Sequence, residues 1–110
     1  MEQALIVVTN VPDAELAKSL AHTLVERRLA ACVNIMPAVQ SIYRWQGAVE
    51  HASEVSLMIK STQARYAELE AVIVALHPYD VPEVIALPIA AGLPAYLNWI
   101  VAETGKEMNV

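Results

Sequence analysis

The chain has 110 residues, 56% of them apolar and 17% charged, with three glycines; this is the content of one domain, and it excludes the disordered, collagen-like and linker classes. A net charge of −5, from 7 basic and 12 acidic residues, and basic residues that cluster only at Arg27-Arg28 leave no stripe for a phosphate backbone, so nucleic acid is not an expected partner. The single cysteine, Cys32, cannot close an intramolecular disulfide, and no secretory signal is legible, so a reducing, cytoplasmic compartment is expected.

In chain order, Ala4 to Thr9 is a continuous apolar, β-branched run, the pattern of a strand buried on both faces. Pro12-Asp13 opens a helix, with Pro12 in its first turn and Asp13 and Glu15 at its positive end. Ala17, Leu20, Ala21, Leu24 and Val25 recur at helical spacing as its buried face, and Arg27 and Arg28 close it. Cys32 to Trp45 is a long strand with Pro37 at a bulge or sheet edge. Gln46-Gly47 is a short turn, and Ala48 to Lys60 returns as the second arm of a hairpin. Ser61 and Thr62 are N-cap candidates for a second helix, whose buried stripe is Tyr66, Leu69, Ile73 and Leu76, widened by Val72. His77-Pro78 ends that helix, because the residue before proline avoids the helical region.

Val84 to Ala102 is 19 residues without a charge, the length of a membrane span. Pro88, Gly92, Pro94 and Asn98 cut it into a strand over Val84 to Ala90 and a helix from Pro94 to Thr104, so no membrane partner is expected. From Gly105 the tail is polar and is expected to be loose.

The order β-α-β-β-α-β plus a terminal helix is the split βαβ, ferredoxin-like arrangement of the α+β class, over the single domain 1–110. It places the second and fourth strands at the sheet edges, and the two interior prolines, Pro37 and Pro88, fall on those strands. The two crossover helices cover one sheet face and leave the other without obvious cover. The hairpin arms, about thirteen residues or roughly 43 Å long, overhang the roughly 20 Å outer strands. Ile42, Tyr43, Trp45 and Val49 would be bare on that overhang in a monomer, which predicts an oligomer.

Five runs of residues carry a resemblance. They are Leu29-Ala30-Ala31-Cys32-Val33-Asn34; Ser41-Ile42-Tyr43-Arg44-Trp45 with Gly47; Glu54 with Ile59-Lys60; His77-Pro78-Tyr79-Asp80-Val81-Pro82-Glu83; and Tyr96-Leu97-Asn98-Trp99-Ile100. In this order and spacing, over residues 4 to 102, the chain resembles the CutA family of divalent-cation tolerance proteins. The resemblance implies a ferredoxin-like subunit in a tight homotrimer with the architecture of PII signalling proteins. It further implies a role in the response to metal ions, with copper or other divalent cations bound weakly.

No HExxH, CxxC or Gly-rich phosphate loop occurs, and nothing brings a Ser-His-Asp set together, so no enzymatic activity is expected. Cys32, beside Ala30-Ala31 and an apolar strand, reads as core, while His22 and His51 read as surface. His77 is the candidate metal ligand, followed closely by Tyr79, Asp80 and Glu83; the competing reading makes it a cap on the helix carbonyls. The resemblance strengthens the ligand reading, since a histidine at this place in the family is implicated in copper binding. Copper-binding relatives can carry a cysteine at the end of the first strand, where this chain has Thr9, one soft ligand fewer. Tyr43, Trp45, Lys60, Tyr79 and Glu83 are the candidates for a cleft between subunits, either as packing or as aromatic residues around one cation that would hold a small anion. Two functions therefore stand: a trimeric metal-tolerance protein, or a PII-like signalling or interaction module with an anion in its inter-subunit cleft.

Overall fold

The structure, a computed structural model, describes residues 2–105, so the expected loose tail lies, apart from Gly105, outside the described residues. Four strands and three α-helices follow in the order β1 Ala4–Val11, α1 Ala14–Glu26, β2 Cys32–Trp45, β3 Ala48–Thr62, α2 Tyr66–Leu76, β4 Val84–Pro88 and α3 Pro94–Thr104. They form one antiparallel sheet in the order β2-β3-β1-β4, the ferredoxin-like arrangement read from the sequence, with Pro37 and Pro88 on its two edge strands.

Local chemistry explains most boundaries. Asp13 is the N-cap of α1, its carboxylate accepting the Leu16 N–H at 2.8 Å, so Pro12 precedes the cap instead of lying in the first turn. The helix ends in a Schellman turn: the Arg28 N–H reaches the Val25 carbonyl and the Leu29 N–H the Leu24 carbonyl. Arg28 occupies the left-handed position, φ 58°, where glycine is usual. Its guanidinium donates to the Ala102 and Gly105 carbonyls at the end of α3, while the buried Arg65 donates to the Arg27 and Arg28 carbonyls.

The hairpin turns at Gln46 and Gly47, both at positive φ, the two-residue turn whose twist matches its strands. The β2–β3 register slips between Met36 and Val39, which places Pro37 and the left-handed Ala38 in a bulge. Ser61 and Thr62 belong to β3 and do not cap α2. Ser61 Oγ donates to the Leu29 carbonyl, and a 3-10 turn over Gln63–Arg65 leads into the helix without a side-chain cap.

The core lies between α1, α2 and the sheet face carrying Leu5, Val7, Val11, Leu57 and Ile59. Val25 and Leu76, expected on buried helix faces, are exposed. Val25 lies at the rim of the apolar stripe, and Leu76 lies in the last turn of α2. Cys32 is half-buried instead of core, because alternation turns Val33 and Ile35 inward and Cys32 to the opposite face. That opposite face is not wholly bare. Helix α3 packs on β3 and β1, burying Ile100 and Thr104. Met36, Ile85 and Leu87 remain exposed beyond it.

Candidate functional site

Strand β1 stops pairing with β3 at Val11↔Val55, whereas β2 and β3 stay paired from Val39↔Glu54 out to Trp45↔Ala48. The overhang gives the molecule a long axis of 51 Å. At its root the chain leaves α2 at His77, where Pro78 prevents further helix, and the segment 78–83 runs back beneath the hairpin. A cleft of about 800 Å³ lies between the two, walled by Tyr43, Trp45 and Tyr79, with the carboxylates of Glu54, Asp80 and Glu83 also lining it.

His77 fixes the lower wall. Its Nε2 lies 2.6 Å from the Asn10 carbonyl, and its Nδ1 accepts the Tyr79 N–H at 3.2 Å. A carbonyl only accepts and an N–H only donates, so these bonds assign the neutral tautomer protonated at Nε2. The imidazole is buried, and its ring centroid lies 4.6 Å from that of Tyr79. The Tyr79 hydroxyl then donates to Glu54 Oε2 at 3.1 Å. Burial first, then this hydrogen bond and the negative charge of Glu54, push the Tyr79 phenol up to about 12. On the other side, Asn10 donates through Nδ2 to Glu83 Oε1 at 3.1 Å and accepts the Ser56 hydroxyl at Oδ1.

Of the residues singled out in the sequence, the structure brings Tyr43, Trp45, Tyr79 and Glu83 into this one cleft. Lys60 does not line it within the chain; its ammonium donates to Asn34 on the face of the sheet under α3. The small-anion reading therefore finds no cation at the cleft among the described residues of a single chain. His77 stands behind the wall with both ring nitrogens engaged, so no imidazole lone pair is open to a metal as the chain is folded. It is the C-cap of α2 through its backbone N–H, which donates to the Ile73 carbonyl, but its ring caps no carbonyl of that helix, since it bonds Asn10 and Tyr79. His22 and His51 are exposed, and among the described residues no three His, Cys, Asp or Glu side chains gather as a metal site.

Glu54 and Asn10 gained no chemical role from sequence reasoning. Glu54 is 8% exposed and, among the described residues, has no basic partner. The signals were its place among the runs that carry the resemblance and a carboxylate opening the mostly apolar run Val55 to Ile59.

A profile of the CutA1 divalent ion tolerance proteins matches residues 5–103. The chain is 50% identical over 100 residues to the divalent-cation tolerance protein CutA of Thermus thermophilus, covering 91% of this chain and 97% of that protein. It is 40% identical over 97 residues to the protein of the same name from Pectobacterium atrosepticum, covering 88% of each. Against the mouse protein CutA the identity is 47% over 98 residues, and the match spans 55% of the longer mouse chain. Among solved structures, the Thermus thermophilus protein superposes with a TM-score of 0.90 at 50% identity, over 96% of this chain and all of the other. CutA1 from Oryza sativa gives 0.91 at 41% identity, over 96% of each chain.

Proposed function

The chain belongs to the CutA1 divalent ion tolerance family, and from that premise we propose that it acts in tolerance of divalent cations as a homotrimer that binds such ions weakly, with no enzymatic step. The observation that supports the binding half is the acidic lining of the cleft: Glu54, Asp80 and Glu83 lie along its walls, without gathering into one ligand set and with no basic side chain of the described residues beside them. Three carboxylates and a phenol are oxygen donors. Spread along the lining and without an imidazole or thiolate, they would hold Cu²⁺ or Zn²⁺ only loosely. The trimer is supported by Met36, Ile85 and Leu87 on the sheet face beyond α3, and by Ile42 and Val49, 77% and 66% exposed on the overhang. Such apolar surface calls for a further copy of the chain.

Calorimetric titration of the assembled protein with Zn²⁺ and Cu²⁺ tests the reading. Weak, saturable binding is expected, lost in the double variant Glu54→Gln with Glu83→Gln and retained in His22→Ala. Binding that survives the double variant but disappears in His77→Ala, with the melting temperature of His77→Ala unchanged, would move the site to the histidine.

A further inference from the structure

We draw no further inference here: the strongest candidate, the side-chain cluster of Cys32, Asn34 and Lys60 on the sheet face under α3, rests on a lone cysteine, and no second observation there points to a ligand.

Discussion

Thr9 is the sharpest test of the packing described here. It is fully buried on β1, on the core side with Val7 and Val11, and pairs across the sheet with Leu57 and Val84. Its Oγ1 is buried without a hydrogen-bond partner among the described residues. A hydroxyl left unpaired in an apolar interior costs about 1–3 kcal/mol of desolvation. Thr9→Val replaces that hydroxyl with a methyl of similar size, keeps the β-branch that the strand prefers, and opens no cavity. It should therefore stabilise each chain by about 1–3 kcal/mol, or at least about 4 °C in melting temperature for a domain of this size. Thr9→Ser keeps the orphan hydroxyl and loses the methyl, so it should fall below the native protein by about 0.5–1.5 kcal/mol, as other buried single-methyl deletions do. The assay is equilibrium unfolding in guanidinium chloride at one fixed protein concentration, because assembly would make stability concentration-dependent. An order of Val, Thr, Ser supports the reasoning. A Thr9→Val variant no more stable than the native protein would show that the hydroxyl is satisfied, and would refute it.

Sedimentation should give three copies of the 12.0 kDa chain, and Ile85→Asp, on the exposed sheet face, should shift the protein to smaller species; a native monomer at micromolar concentration would refute the trimer. Tyr79 is held up to about 12 against an unfolded value of 10.0, so its contribution to stability is complete below about pH 10 and is lost as pH rises through about 12. Ultraviolet titration should show a phenol ionising last that is missing in Tyr79→Phe and ionises earlier in Glu54→Gln. Arg28→Gly relieves the left-handed backbone but removes the guanidinium bonds to the Ala102 and Gly105 carbonyls. A net loss of about 1 kcal/mol is expected, with faster amide exchange in α3 and unchanged exchange in α1.

The fold was legible because its signals are local. β-Branched runs, helical spacing from Ala17 to Leu24, the Gln46-Gly47 turn and the Pro78 stop each act over a few residues. The prolines added a longer-range check, since a residue without an N–H tolerates only an edge or a bulge, and Pro37 sits at both. The errors fell where two local signals competed. Ser61 and Thr62 have capping chemistry, but pairing with Leu5 and Ala4 of β1 kept them in the strand. The cover that α3 gives to the second sheet face was also missed. Spacing identifies a short apolar helix but does not say which layer it joins.

The cleft was only partly legible, because its chemistry depends on separations that no local pattern encodes. The aromatic residues could be picked out by type, but the partner of His77 is the Asn10 carbonyl, 67 residues away, and the partner of Glu54 is Tyr79, 25 away. Those two bonds change the reading of the site. His77, with an open ring nitrogen, would offer a borderline nitrogen ligand; bonded through both nitrogens, it is a rigid strut that sets the backbone of Tyr79. Glu54, an ordinary strand carboxylate in sequence, becomes a buried charge without a counter-ion. Lys60 lies six residues along the same strand, roughly 20 Å away by strand rise, so no rearrangement within one chain that keeps the sheet brings its ammonium there. Any counter-charge that Glu54 meets therefore comes from outside the described part of this chain, while its one hydrogen bond within that part comes from the Tyr79 hydroxyl.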